Sequence, residues 1–502
     1  MKRRHHTILE QCKRKWRKRL ARTPCPDQPS PVLEPVNIVY DIAERTRAIS
    51  FGGIGLIHTM VERLGLAQAI NARVSLLKAH LPYFESDHVL TLAYNVVTGG
   101  TCLDDIDRLR TSEVALDALS AERLPAPTTS GDFLRRFDEA SVLELQEAVN
   151  DARRRVWAVQ GRAFHQEAIL DADGTVAETL GECKQGMEMS YKGIWGYAPL
   201  LLTLATTNEV LYLVNRSGNH RSSFAAPEWI DRALALLRPQ FRRVWIRGDS
   251  DFAMTEHFDR WDEQGVRFVF GHDAYQALVT RAQHLPEQAW EGRQRKAEPQ
   301  EARPQRRRRE NVKEQIVTKR EYKRLRLVAE HVAEFDYRPV ACRTTYRVVG
   351  VRKLIREERG EKVLGYQTRW AFYITNDRSK SAQQIVRFAL GRCNQENVIA
   401  QLKSGTQALG MPSGSLVSNW AWAVTASLAW NLKAWLGLLA KGTAARRDIL
   451  RCEFKRFLAT YIQIPCQILN SGRQLLYRVL AYSPQLASLF TALEAIKQRT
   501  FA

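Results

Sequence analysis

LDADGTVAE (170–178) ends an apolar approach with two aspartates one residue apart. In a β-strand alternate side chains share a face, so a strand here points Asp171 and Asp173 the same way. Three readings stand at this point: a metal-binding pair, one ligand beside a supporting neighbour, or an acidic turn ahead of Gly174. Nothing local separates the two carboxylates.

Working outward, YAPLLLTLAT (197–206) and EVLYLVNR (209–216) are short apolar runs of strand length. An amphipathic helix follows in PEWIDRALALLRP (227–239), then a strand in RRVWIRGD (242–249), a helix in TEHFDRWDEQG (255–265) and a strand in VRFVFG (266–271). Consecutive strands followed by alternating helix and strand predict a mixed α/β sheet. A polar stretch with four consecutive arginines, Arg306 to Arg309, interrupts the rhythm and predicts an exposed loop. Three strand-like runs follow, RLRLVAEHVAEF (324–335), TTYRVVGVRKLI (344–355) and WAFYITND (370–377), so a β-rich insertion splits the α/β domain. Helical character returns in SAQQIVRFALGRCNQENVIAQLK (381–403) and in 416–440, whose tryptophans 420, 422, 430 and 435 are expected in the core. A hairpin around Asn470-Ser471-Gly472 and a last helix from about 485 complete the chain.

Lysine plus arginine number 75 against 54 acidic residues, a net charge of +21 over 502 residues. Such an excess favours a polyanionic partner, and nucleic acid is the commonest. Residues 1–22 form a Lys/Arg-rich arm, either a solvated tail or a phosphate-holding element. Residues 40–160 carry helical apolar spacing. Within them PAPTTSGDFLRRF (125–137) has a helix-start pattern, with Thr129 or Ser130 as N-cap. It reads equally as a helix–turn–helix placing Arg135 or Arg136 on DNA and as an ordinary capped helix. Eight scattered cysteines without C-x-x-C, and a charged N-terminus without an apolar run, favour a reducing cytoplasm. The most apolar stretch, 421–440, holds Asn431 and Lys433 mid-way and reads as a buried helix, so no membrane partner is expected.

Acidic residues recur at strand ends: Asp171 and Asp173 close one, and Asp249 and Asp251 follow another. Carboxylates are hard ligands suited to Mg²⁺ or Mn²⁺. Phosphoryl transfer on DNA by two ions ~3.5–4 Å apart needs more than one strand-end pair, so a third carboxylate is expected. Glu396 is the candidate, because a helix over this segment puts Arg392, Glu396 and Lys403 on one face. An exposed Arg–Glu pair with a lysine beyond is the plainer account of that face.

The order Asp, Asp, β-rich insertion and R-x3-E-x6-K resembles bacterial insertion-sequence DDE transposases. The subgroup is the one whose catalytic domain is split by a β domain. GECKQGMEMSYKGIWGYAPLL (181–201), LVNRSGN (213–219), RGDSDF (247–252), NQENVIAQLKSG (394–405) and SNWAWAVTASLAWNLKAW (418–435) all resemble it, covering about 40 to 480. The resemblance implies a ribonuclease-H-like (retroviral-integrase-like) α/β core with a mainly β insertion domain, preceded by a helical DNA-binding region. D-G-T then makes Asp173 the first metal ligand, Asp249 the second and Glu396 the third, with Arg392 and Lys403 on phosphates. Asp171 and Asp251 fall outside the triad. Where the fuller signature has Tyr three residues before the Arg, this chain has Ala389, beside Phe388. Lys184, Lys192 and Arg216 lie in family-like phrases and are either DNA contacts or plain exposed cations.

The implied activity is cut-and-paste transposition with two Mg²⁺ (or Mn²⁺) ions. Hydrolysis at the transposon end is followed by strand transfer, with a hairpin intermediate and a flipped base held by the insertion. The expected partners are double-stranded DNA, as terminal repeats and target, and a second copy in the synaptic complex. The expected location is the bacterial cytoplasm, with the nucleoid. The expected organisation is a basic arm and Pro-rich linker (1–35), a helical DNA-binding region (36–160) and a first core part (161–273). After these come the β-rich insertion (274–378), a second core part (379–445) and a C-terminal region for dimerisation (446–502). Two rivals remain: a stand-alone metal-dependent nuclease, and a catalytically dead DNA-binding descendant of a transposase.

Overall fold

The structure is a computed structural model that describes residues 3–21, 38, 40, 46–293, 312–471, 474–480, 482–483 and 485–501. The Pro-rich segment 23–35, the Arg306–Arg309 run and Gly472 lie outside the described residues.

Ala168, Leu170 and Ala172 are 0% exposed, and the segment they alternate through is a strand, Glu167–Gly174 (β1). The strands that join it are β2 (Leu200–Leu204), β3 (Glu209–Val214), β4 (Arg243–Gly248), β5 (Arg267–His272) and β6 (Glu291–Gly292). Three long ones follow, β7 (Lys323–Tyr337), β8 (Tyr346–Arg359) and β9 (Lys362–Thr375). Together they make one nine-stranded mixed sheet in the order β6-β7-β8-β9-β5-β4-β1-β2-β3. β1 runs parallel to β4 with Asp171 opposite Arg247, and antiparallel to β2 with Asp173 opposite Leu201. Parallel neighbours need a crossover, and the helix Ala226–Leu237 lies between β3 and β4 in the chain.

The insertion does not stand apart as a second sheet. The last residues of β9, Phe372–Thr375, pair antiparallel with β5, so the meander β7–β8–β9 continues the core's own sheet. An unpaired β5 edge would leave a row of backbone donors and acceptors open, and β9 closes it. The outer half of the meander projects beyond the core with Leu325, Leu327, Val363, Leu364 and Tyr366 exposed.

The basic arm is helical over Arg3–Leu20 (α1) and meets the C-terminal helix Leu486–Gln498 through His5 and Phe490, ring centroids 5.7 Å apart. Two further helices, Glu85–Thr98 (α2) and Glu139–Ala158 (α3), pack on the longest helix of the chain, Leu416–Leu439. That helix is buried along nearly its whole length, and four of its polar side chains bond β3 and the turn before it. Asn431 bonds the amide and carbonyl of Val210, and Trp420, Trp430 and Trp435 donate to Leu213, Asn208 and Glu209. Among the described residues no helix is long and apolar enough to cross a membrane. Near the C-terminus, Cys466–Ser471 and Gln474–Val479 form a hairpin that pairs with Ala48–Ile49 and bonds Ala118 through Tyr477. Within this chain, therefore, the C-terminal hairpin closes on the N-terminal helical region.

Candidate active site

Asp173 is the penultimate residue of β1, and Asp249 directly follows β4, its parallel neighbour. Both carboxylates thus emerge at the same edge of the sheet. Asp249 also accepts from the amide of Asp251 at 3.1 Å and caps a tight turn, which leaves Asp251 itself exposed.

Asp171, two residues before Asp173, has a different fate. It is 1% exposed and receives both Nε and Nη2 of Arg247, at 2.6 and 2.7 Å. The third nitrogen, Nη1, donates to the carbonyl of Phe388 at 2.7 Å. In an unbroken α-helix that carbonyl takes the amide four residues on. Here the amide of Arg392 bonds Ala389 instead, and the helix breaks into Ala382–Leu390 (α4) and Cys393–Ser404 (α5). A side chain inserted into the helical ladder is a recognised cause of such a kink. Gly391 makes room for it, since a Cβ there would stand 2.6 Å from Nη1 of Arg247. Arg392, Glu396 and Lys403 therefore do not share one continuous helix: Arg392 is the N-cap of α5, and the other two lie on it. Gln395 ties α5 down by donating to the carbonyls of Asp171 and Leu201, at 3.1 Å each.

The kink turns Arg392 onto the strand ends. Its Nη1 lies 3.0 Å from Asp173 and its Nη2 4.0 Å from Asp249. Burial pushes the Asp173 carboxyl up to about 6; Arg392 works against that, and the charges of Asp249 and Glu396 add to it. Asp249 is raised too, first by burial, with Asp251 and Asp273 contributing. Glu396 is exposed on the first turn of α5 and acts on Asp173 through its charge. Two aspartates at one guanidinium, with the charge of Glu396 reaching both Asp173 and Arg392, make a carboxylate set of the hard-oxygen kind that suits a divalent cation. As arranged, no group of three His, Cys, Asp or Glu side chains among the described residues is close enough to hold one, and Arg392 spans the aspartates instead.

Residues 43–500 match the family model described as transposase DDE domain group 1. The chain belongs to that family. No curated protein sequence matches it. Among solved structures it is similar to piggyBac transposase, seen in a synaptic complex with hairpin DNA by cryo-electron microscopy. That match has 12% identity over 82% of this chain and 84% of the other, with a TM-score of 0.32.

The remaining cations of this DDE-family chain divide by burial. Lys403 donates to the carbonyl of Val176 at 2.7 Å, just beyond Asp173, and Lys192 is exposed beside its neighbour Tyr191. Lys184 is half-buried and bonds the carbonyl of Met411, holding the 181–187 loop to the segment before the long helix. Arg216 is 5% exposed, so the reading of it as a plain surface cation is corrected: it bonds three backbone carbonyls. Arg135 and Arg136 are exposed at the C-terminal end of the helix Pro127–Leu134, where Arg135 pairs with Asp132. That helix begins earlier than Thr129 or Ser130: Ala126 is its N-cap, Pro127 fills the first turn, and Ser130 is fully buried.

Nothing in the sequence pattern singles out Arg247 or Gln395 for a role at this site. The available signal was Gly391, a lone glycine inside a helical pattern, which marks a break or a close approach.

Proposed function

We propose that this chain is a bacterial insertion-sequence transposase with a ribonuclease-H-like core, acting on double-stranded DNA by cut-and-paste. The carrying observation is that Arg392 lies between Asp173, near the end of β1, and Asp249, just after β4, while the charge of Glu396 on α5 acts on Asp173 and Arg392. Those three carboxylates would hold two Mg²⁺ or Mn²⁺ ions, which supply an activated attacking oxygen and charge neutralisation at the scissile phosphate. Arg392 then exchanges its carboxylates for phosphate oxygens, which a planar guanidinium recognises through paired donors. Lys403, beside the turn after β1, offers a point charge to the same strand. The proposed sequence is hydrolysis at the transposon end and attack by the freed 3′-OH, on the opposite strand to give a hairpin or on target DNA. Synapsis of two ends calls for two copies, with 446–502 as the dimerisation region.

The test is Mg²⁺-dependent cleavage of the cognate end by wild type, Asp173→Asn, Asp249→Asn and Glu396→Gln. Loss of cleavage in all three is expected, and full activity in any one removes that residue from the ligand set. Joined donor–target product separates a transposase from a stand-alone nuclease.

A further inference from the structure

Immediately past Asp173 is a cleft of about 60 Å³ whose lining includes Gly174, Thr175, Lys192, Arg216, His220 and Ser222. One water takes up about 10–15 Å³ of such space, so the cleft admits a phosphate-sized group and excludes a nucleoside. No carboxylate lines it among the described residues.

Arg216 is the unusual member. Its Nε donates to Ala198 at 2.8 Å, and Nη1 donates to Ser222 at 3.0 Å and Phe224 at 2.5 Å, all backbone carbonyls. These bonds fix the plane of the fork and leave Nη2 without a partner. No ion pair to an acidic residue compensates its charge among the described residues, and burial alone pulls the guanidinium down to about 10. A buried cation without a counter-ion is expensive, and buried charges are ordinarily paired or bound to a ligand. Two more cations close the same turn: Lys403 on the carbonyl of Val176, and Lys192, whose charge acts on Lys403. The Ser222 segment is drawn tight against the end of β1, since a Cβ on Gly174 would stand 2.7 Å from Oγ of Ser222.

We propose that this cleft binds one backbone phosphate of the DNA strand lying across the carboxylates, with the Arg216 guanidinium as its buried cation and Lys192 as its exposed one. The inference rests on the DNA-transposase reading. Its location singles out this ligand: Gly174 shares β1 with Asp173, so a strand engaged there continues past the cleft.

The experiment measures binding of full-length protein to a labelled duplex bearing its element's terminal repeat. Ca²⁺ replaces Mg²⁺, and single neutral methylphosphonates are moved along each strand. One position is expected to weaken wild-type binding about ten- to a hundred-fold, the worth of a charge-assisted hydrogen bond. The same replacement should leave Arg216→Gln unaffected, and the log–log salt slope of that variant should shrink by about 0.9. Where Arg216→Gln fails to fold, the exposed Lys192→Gln must mask the same position. If every methylphosphonate effect persists in both variants, the site is refuted. Inorganic phosphate binding by calorimetry, lost in Arg216→Gln while the DNA scan stays silent, assigns the cleft to free anion and refutes the DNA assignment. Failure of Mg²⁺-dependent cleavage with the scan intact counts against the enzymatic reading and leaves the phosphate site supported.

Discussion

Replacing Asp171 and Asp173 separately by asparagine sets a stability effect against a catalytic one, two residues apart on the same strand. The Asp171 side chain is 1% exposed and its partner Arg247 6% exposed, joined by two hydrogen bonds. Asparagine can accept one of those bonds and cannot balance the charge, so Asp171→Asn leaves a buried guanidinium uncompensated at about 3–5 kcal/mol. At ~2.1 cal/mol/K per residue over 502 residues, that lowers Tm by about 3–5 °C if the chain unfolds as one unit. Asp173→Asn gives up one 3.0 Å contact with Arg392 and relieves repulsion from Asp249 and Glu396. Its stability should stay within about 1 kcal/mol of wild type. Urea melts followed by tryptophan fluorescence in EDTA measure the first quantity, and Mg²⁺-dependent end cleavage the second. The expected pattern is a destabilised Asp171→Asn with residual cleavage at low temperature, and a stable, inactive Asp173→Asn. A stable, inactive Asp171→Asn beside an active Asp173→Asn would refute the assignment and exchange the roles of the two residues.

Lys433 is 1% exposed, over Trp430, and burial pushes its ammonium down to about 8, with Cys452 and Asp448 opposing. Between about pH 8 and 10.5 the unfolded chain holds a proton there that the folded chain has lost, so this group makes stability rise with pH by up to ~3 kcal/mol. The wild type minus Lys433→Met difference in urea midpoint should show that rise, and a flat difference would contradict it. Gly218→Ala puts a Cβ 2.2 Å from the carbonyl oxygen of Gly196 and 2.3 Å from that of Glu188, backbone atoms that cannot swing aside. It should cost about 1–3 kcal/mol or more, while Gly161→Ala, with nothing within 4 Å, melts like wild type; equal melts for the two would count against the packing. Duplex binding should fall with salt by about 0.9 log units per log unit for each neutralised phosphate, and a slope near zero would remove the electrostatic argument drawn from the +21 charge.

Much of the architecture is written in local pattern. The apolar run ahead of Asp171 and the one ahead of Asp249 are strands because β-branched and aromatic residues such as Ile169, Val244, Trp245 and Ile246 fit a pleated, buried surface. The apolar helix 416–439 carries Asn431 where a polar group is needed against β3, so its burial also follows from composition. The sequence likewise orders the three acidic positions along the chain and supplies the resemblance that names them.

Tertiary structure decided the rest, because the deciding contacts join residues far apart in sequence. Strand geometry makes Asp171 and Asp173 equivalent; Arg247, on the adjacent strand, takes one and leaves the other to Arg392. Helical periodicity runs Arg392 into Glu396 without a break; the same Arg247, seated against Gly391, breaks the helix and aims Arg392 at both aspartates. The strand-like runs after Arg309 predict a β-rich insertion that splits the α/β domain, and only the β9–β5 pairing shows that it continues the core's own sheet. Arg216 looks like any other basic residue in a basic chain until folding buries it with one donor unspent. Periodicity reports which face of an element is apolar, and it carries no record of which distant charge meets which.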